Sequence, residues 1–211
     1  MVNIVKDLIP EEKWKLKCPY VMLPEFFVIH NTSNDASAKN EIAYMKNNDF
    51  QKSFHFAVDD VEVRQGILEH RNAFHAGDGA NGDGNRKGIG IEICYSKSGG
   101  ERFEKAEDNA AEFVAMKLIE FGWGIDRVRK HQDFSGKHCP HRTLDMGWER
   151  FLKKVESYMT TELETVNDIV WELSSREIIT EKDLWLEKLE SDANSYWLAR
   201  KCANYIRRNT R

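Results

Sequence analysis

The stretch Lys130 to Thr143, KHQDFSGKHCPHRT, concentrates side chains that can bind a metal ion. Neutral imidazole and thiolate are preferred ligands of Zn²⁺, and a hydrolytic zinc site keeps three protein ligands with a fourth position open. His131 and Cys139 could supply two of the three ligands. On spacing alone, His138 and His141 remain alternatives to His131.

A third ligand must come from another part of the chain. The segment Glu25 to Thr32, EFFVIHNT, is an apolar run that ends in polar residues, which is typical of a buried strand opening into a loop. Active-site groups gather on loops at strand ends, so His30 is the best placed candidate. A lone histidine at a strand end is more often a hydrogen-bonded structural residue, and that alternative stays open at this point.

The elements that would position these residues include both strands and helices. Strands are predicted at 25–32, 53–60, 61–68 and 88–96, and helices at 36–48, 103–122 and 146–158. The glycine-rich segment 75–88 is predicted to be an exposed loop, and the stretch 130–143 to be irregular. Three further helices are predicted at 163–174, 181–189 and 195–208.

This pattern predicts an α/β fold in which helices flank a mixed central β-sheet, followed by a small all-α C-terminal module. We expect residues 1–159 to form the first domain and residues 160–211 the second. The apolar spacing in the second suits the core of a three-helix bundle.

Composition excludes several classes of protein. The formal net charge is -4 with both signs interspersed, so a nucleic-acid partner is disfavoured. There is no run of eighteen apolar residues, so we expect no membrane insertion, and the first residues lack the apolar core of a signal peptide, which predicts a cytoplasmic chain. The widely spaced cysteines indicate reduced thiols, and Cys18 and Cys94, with apolar neighbours, are expected to be buried and inert.

Five segments carry a resemblance to a known family. VIHNT, SFHF, FHAGDG, GIGIEICYS and KHQDFSGKHCPHR occur in this order and resemble the zinc-dependent N-acetylmuramoyl-L-alanine amidases of phage endolysins and bacterial autolysins. Related folds occur in peptidoglycan recognition proteins. The resemblance covers about residues 20 to 155. It implies that His30, His131 and Cys139 bind Zn²⁺ and that the partner is bacterial peptidoglycan.

The implied reaction is hydrolysis of the amide between N-acetylmuramic acid and the L-alanine of the stem peptide. By the same resemblance, Glu92 activates the attacking water and Lys137 lies beside the tetrahedral intermediate. Amide hydrolysis needs such a base and such a positive charge. The alternatives are a solvent-facing strand carboxylate for Glu92 and a solvated loop lysine for Lys137.

Substrate contacts are expected from His55, His75, Phe54 and Asn31. Some short phage amidases carry a tyrosine where this chain has Phe54, so the missing hydroxyl places more of the catalysis on Glu92. A packed structural role is equally open for His55.

Other functions compete with the amidase interpretation. A peptidoglycan recognition module would bind without cleavage, but such binders typically lack the cysteine ligand. A nucleophilic Cys139 paired with His131 would make a cysteine peptidase, although a cysteine before Pro140, away from any helix N-terminus, argues against it.

The C-terminal module is predicted to bind the cell wall by analogy with endolysins. Dimerisation and a helix-turn-helix are its alternatives, and the acidic balance disfavours the latter. The expected absence of a signal peptide favours an endolysin that acts on the wall after release.

Overall fold

The structure is a computed structural model that describes residues 2–160 and 166–209 of the chain. The chain divides into two compact units, an N-terminal unit of residues 2–156 and a C-terminal unit that begins at residue 157. Each unit contains its own cluster of buried apolar side chains.

One mixed sheet of six strands organises the described part of the N-terminal unit. The strands are β1 (Asn3–Lys6), β2 (Phe26–Asn31), β3 (Phe56–Val58), β4 (Glu62–Gln65), β5 (Gly88–Ile93) and β6 (Val128–Lys130). Their order across the sheet is β1-β4-β3-β5-β2-β6. Only β3 and β4 pair antiparallel, and the other neighbours are parallel. The predicted mixed sheet is therefore confirmed.

The parallel strands β5, β2 and β6 carry the chemistry-bearing residues to one edge of the sheet. Every residue of β2 is buried, as expected for a strand with parallel neighbours on both sides. His30 in β2 is in register with Glu92 in β5, and Ile29 is in register with Lys130 in β6. His131 directly follows β6, so the carboxyl ends of three adjacent strands meet at one place.

Helices cover the sheet and connect its strands. Those of the N-terminal unit are α1 (Trp14–Lys17), α2 (Ala38–Asn47), α3 (Asp83–Lys87), α4 (Gly100–Phe121), α5 (Gln132–Ser135), α6 (His141–Asp145) and α7 (Trp148–Thr160), the last of which continues past residue 156. The long helix α4 packs on the sheet through Phe113, whose ring lies 4.8 Å from that of Phe56. It ends at Gly122, which has a left-handed conformation with φ of 67° and is the predicted C-terminal cap.

Several short elements differ from the sequence-based expectation. Strands β1 and β6 were not predicted, because each is short and mostly solvent-accessible and so lacks apolar alternation. The segment predicted as a loop contains α3, in whose first turn the Gly84 N–H donates to the Asp78 carboxylate at 2.7 Å. The stretch predicted as irregular likewise contains α5 and α6.

Three helices form the described part of the C-terminal unit beyond α7. They are α8 (Val166–Ser175), α9 (Lys182–Ser191) and α10 (Ala193–Asn209). Buried apolar side chains of these helices and of the segment between α8 and α9 form one cluster, which is made of Ile169, Val170, Leu173, Ile179, Leu189, Ala199 and Ala203. The start of the predicted helix 163–174 lies outside the described residues. Within the described ranges, no helix is both long and apolar enough to cross a lipid bilayer.

Candidate metal centre

His30, His131 and Cys139 form a compact group of possible metal ligands. One ligand atom from each lies within 4.8 Å of the others. The Nδ1 atoms of the two histidines are 3.0 Å apart, and the Cys139 Sγ is 3.9 Å from the His30 Nδ1. All three side chains are buried, with exposed fractions of 2%, 6% and 4%.

The sheet fixes the two histidines. His30 lies in the fully buried strand β2, one residue before its end. The His131 N–H donates to the Ile29 carbonyl at 3.2 Å, which extends the pairing between β2 and β6 by one residue. The two imidazoles therefore face each other because their backbones are held by adjacent parallel strands.

A loop anchored at two points brings in Cys139. Its carbonyl accepts a hydrogen bond from the Gln132 N–H at 2.9 Å, which returns the loop to the start of α5. On the other side, the Asn31 Oδ1 accepts from the backbone N–H groups of Arg142 at 2.9 Å and Thr143 at 3.2 Å. Asn31 thus ties the first turn of α6 to the end of β2.

Burial sets the protonation of these groups. It lowers the pKa of His30 well below its usual value, with the neighbouring His75 and His131 adding to the effect. Burial and then Lys137 lower the pKa of His131. Burial raises the pKa of the Cys139 thiol to about 11. Two neutral imidazoles and a thiol that gives up its proton to a bound cation are a donor set that fits Zn²⁺.

Glu92 lies beside this group. Residues in register on parallel strands point to the same face, so Glu92 shares the face of His30. Its Oε2 is buried and has no hydrogen-bond partner among the described residues. Burial, followed by the charge of Glu41, raises the pKa of Glu92 to about 8 against the opposing effect of Lys137 and Lys52. Glu92 as a whole is partly exposed and lines the cleft over the group.

A cleft of about 820 Å³ opens over the group. The predicted residues Asn31, Phe54, His75 and Lys137 line it, and Lys137 is exposed in the loop before Cys139.

Sequence reasoning missed the contribution of α2 to the cleft and of the segment that follows α2. These additional lining residues include Asn40, Glu41, Tyr44, Asn48 and Lys52. The four-residue spacing of Asn40, Tyr44 and Asn48, opposite the predicted apolar face of that helix, was the available signal.

Three other histidines, His55, His138 and His141, are not part of the group of candidate ligands. Both ring nitrogens of His55 are bonded to the backbone, because Nε2 donates to the Arg71 carbonyl at 2.8 Å and Nδ1 accepts from the Gly90 N–H at 2.9 Å. His55 is fully buried and is not among the residues that line the cleft. His138 is exposed and pairs with Asp145 at 2.9 Å. His141 is 3.4 Å from the Ser96 carbonyl.

The fold and the donor set define an α/β protein with a candidate metal centre at the carboxyl ends of its strands. The profile of a family described as N-acetylmuramoyl-L-alanine amidase matches residues 21–142, and the chain belongs to this family. The resemblance inferred from the five sequence segments is thereby confirmed.

Named relatives agree with this assignment. The chain is 60% identical over 157 residues to N-acetylmuramoyl-L-alanine amidase CwlA of Bacillus subtilis (strain 168), a match that covers 74% of this chain and 58% of the relative. It is 60% identical over 156 residues to N-acetylmuramoyl-L-alanine amidase XlyB of the same organism, covering 74% of this chain and 49% of the relative. The chain therefore spans about half of one relative and just under three-fifths of the other.

Solved structures share the fold. The structure of PlyL superposes with a TM-score of 0.70 at 49% identity, covering 74% of this chain and 96% of that one. The catalytic domain of XlyA gives a TM-score of 0.67 at 39% identity, with 73% and 99% covered.

Proposed function

We propose that the chain hydrolyses the amide bond between N-acetylmuramic acid and the L-alanine of the peptidoglycan stem peptide, with Zn²⁺ held by His30, His131 and Cys139. The observation that carries the proposal is the buried group of three ligand atoms within 4.8 Å of one another, next to a carboxylate in an open cleft. The names of CwlA and XlyB, both N-acetylmuramoyl-L-alanine amidases, support the choice of bond.

Bound Zn²⁺ would act as a Lewis acid that polarises the scissile carbonyl and lowers the pKa of water to about 7. Glu92 acts as the general base that takes a proton from the attacking water. Burial raises the pKa of this carboxyl to about 8, which makes the carboxylate a stronger base toward that water. The same proton then passes to the departing amine of L-alanine.

Positive charge at the cleft stabilises the oxygen on which negative charge develops. Lys137 lines the cleft, and its charge acts on both Glu92 and His131. A fixed ammonium there stabilises the tetrahedral intermediate more than the neutral substrate, which accelerates the reaction. Lys52 lines the same cleft and contributes charge of the same sign. Phe54 supplies no hydroxyl, so proton transfer rests on Glu92.

Two competing functions are less well supported. A nucleophilic cysteine needs a lowered thiol pKa, whereas burial raises that of Cys139 to about 11. A recognition module without catalysis needs neither a cysteine among the ligands nor a buried carboxylate beside them, and this chain has both.

The test is a chemical analysis of purified cell walls after digestion by the chain. New L-alanine amino termini are expected without new reducing sugars, and both a chelator and Cys139→Ser should abolish them. Added Zn²⁺ should restore the chelated protein but not the variant. If the protein sediments with walls and cuts no bond, the proposal fails and the recognition function stands.

We also propose that residues 160–211 form a domain that holds the enzyme on the wall. Exposed aromatic side chains support this proposal, because Trp171 and Tyr205 are 65% and 60% exposed and Trp197 is 39% exposed. Aromatic side chains that combine an apolar face with a polar edge are suited to bind sugars, which also present both apolar and hydrated surfaces. Dimerisation through this domain is the competing role. Sedimentation with walls, measured together with the oligomeric state, separates the two roles.

A further inference from the structure

A line of hydrogen bonds connects the backbone of β5 to the candidate metal centre. The His75 Nε2 is 3.2 Å from the Gly88 carbonyl oxygen. The His75 Nδ1 is 3.0 Å from the His30 Nε2. The His30 Nδ1 then faces the His131 Nδ1 at 3.0 Å and the Cys139 Sγ at 3.9 Å. All of these rings are buried.

The Gly88 carbonyl at one end of the line determines which nitrogen of each imidazole carries the proton. A carbonyl oxygen only accepts, so the His75 Nε2 must carry a proton and donate it to Gly88. A neutral imidazole has one proton, so the His75 Nδ1 is an acceptor and the His30 Nε2–H donates to it. The remaining nitrogen of His30, Nδ1, therefore presents its lone pair to His131 and Cys139.

We propose that His75 is a positioning residue that holds His30 in the Nε2–H tautomer, with Nδ1 available to a metal ion. This inference rests on the proposed zinc site. It differs from the role in substrate binding that the family resemblance implied for His75. Metal-binding histidines generally donate their second N–H to an acceptor, which orients the ring and strengthens the bond to the metal. Here the acceptor is another histidine, which is itself oriented by the backbone of β5.

The strand provides room for this arrangement at Gly90. A Cβ atom at this position would lie 2.8 Å from the Cγ and Cδ2 of His75, closer than side chains tolerate. His55 also holds this strand, because its Nδ1 accepts a hydrogen bond from the Gly90 N–H. The His75 ring thus lies directly over a glycine whose backbone is fixed, and a methyl group at residue 90 would displace the ring.

Three substitutions in the full chain test the proposal through the zinc dissociation constant, measured by competition with a chromophoric chelator. His75→Leu removes the acceptor and should raise the constant about 10- to 100-fold. His75→Asn offers Oδ1 at the same chain distance as Nδ1 and should recover most of the affinity. Gly90→Ala keeps the imidazole but displaces it and should weaken binding in the same direction as His75→Leu.

Val114→Ala is the matched control, because Val114 is fully buried in α4 and is not part of the hydrogen-bond line. It should destabilise the fold without changing zinc affinity, and the visible spectrum of its cobalt-substituted form should match that of the wild type. The spectrum of His75→Leu should differ.

Each outcome decides one question. Tight zinc binding by folded His75→Leu would overturn the role of His75 while leaving the proposed zinc site intact. Equal loss in His75→Asn and His75→Leu would show that the hydrogen-bond acceptor is not what matters, and would also overturn it. A wild-type chain that binds no zinc would instead refute the proposed function, and this inference with it.

Discussion

Glu92 is the residue on which proton transfer in the proposed reaction depends. We expect Glu92→Gln to lower kcat by about 10²- to 10⁴-fold, because the amide has the same shape but cannot accept a proton. Zinc content should be unchanged, since Glu92 is not among the three grouped ligands. Release of L-alanine amino termini from walls and metal analysis of the same samples measure the two quantities.

Glu41→Gln is the matched control for this prediction. Glu41 is a second carboxylate of the same cleft, and its charge helps to raise the pKa of Glu92. Glu41→Gln should leave kcat within about tenfold of the wild type, because the Glu92 carboxylate that accepts the proton is still present. A Glu92→Gln enzyme that kept its rate would assign the general base to another group.

His55 gives a prediction about stability and pH. Burial lowers the pKa of His55 to about 4, whereas the unfolded chain has the ordinary value of 6.5. Between these values the unfolded state binds a proton that the folded state does not, so the stabilisation is complete above pH 6.5 and is lost as the pH falls toward 4. The expected slope is at most about 1.4 kcal/mol per pH unit.

His55→Gln provides the reference for this measurement. The difference in free energy of unfolding between the wild type and the variant should be constant above pH 6.5 and should shrink as the pH falls toward 4. Denaturant unfolding of both proteins, with the same chelator present, measures this difference. The contributions of the other histidines are common to both proteins and therefore cancel. If the difference in free energy of unfolding did not change with pH, the pKa of His55 would be the same in the folded and unfolded states. That result would indicate a solvent-exposed side chain, as in the cleft.

The sequence was informative about ligand types and uninformative about which nitrogen meets which partner. His30, His131 and Cys139 were proposed from donor chemistry, strand ends and family motifs, and the fold brings them together. The packed position of His55 could not be read from its neighbours. It depends on the Arg71 carbonyl, sixteen residues along the chain, and on Gly90 in another strand.

At the scale of elements, Asn31 connects a strand to a helix. Its Oδ1 accepts two backbone N–H groups at the start of α6, which otherwise lack an acceptor. We expect Asn31→Ala to lower the free energy of unfolding by about 1–2 kcal/mol. It should also weaken zinc binding, because the loop that carries Cys139 loses its anchor. Urea unfolding and chelator competition measure the two effects.

Asn31→Asp keeps the accepting oxygen but loses the Nδ2 donor, which faces the His30 carbonyl at 3.2 Å, so it should restore only part of the stability. Thr143→Val is the control, since it removes only the weaker contact of 3.3 Å between the Thr143 hydroxyl and the Asn31 side chain. Equal zinc affinity in Asn31→Ala and the wild type would contradict a role for this anchor in placing Cys139.

Long periodic elements were predictable, and short ones were not. Strands β2 and β5 and helix α4 have continuous apolar patterns that identify them without tertiary information. Strand β6 has three residues, of which only Val128 is buried, and it exists because β2 offers it hydrogen-bonding partners. Helix α3 has only five residues, and its first turn bonds to the Asp78 carboxylate, a contact that a periodicity of apolar residues does not reveal.

At the scale of the whole molecule, the change from mixed strands and helices to helices alone predicted the fold class. The order of strands was not predictable in the same way. It requires β2, early in the chain, to lie between β5 and β6, and these pairings join residues about sixty to one hundred positions apart. That order is what brings His30, Glu92 and His131 to a single edge of the sheet.

The proposed division at residue 160 implies that cleavage and wall binding can be separated. A chain that ends at residue 159 should cleave soluble muropeptides at the rate of the full chain, because the grouped ligands, Glu92 and Lys137 all lie before that point. The structure of PlyL supports an independent fold for this part, since 96% of that chain is covered by a match to 74% of this one. Sedimentation with purified walls should weaken by at least about tenfold, equivalent to roughly 1.4 kcal/mol of binding free energy.

A double variant of the full chain, Trp171→Ala with Trp197→Ala, separates wall contact from dimerisation. Both side chains are more than one-third exposed, so their loss should leave the C-terminal helices folded and should reproduce the weaker sedimentation of the shortened chain. Analytical ultracentrifugation of the same proteins reports the oligomeric state. If the shortened chain sediments with walls as well as the full chain does, the wall-binding role is refuted. If the full chain forms a dimer and the shortened chain does not, residues 160–211 are assigned to self-association instead. Weaker wall binding without any change in oligomeric state is the result expected if exposed aromatic side chains hold the enzyme on its substrate.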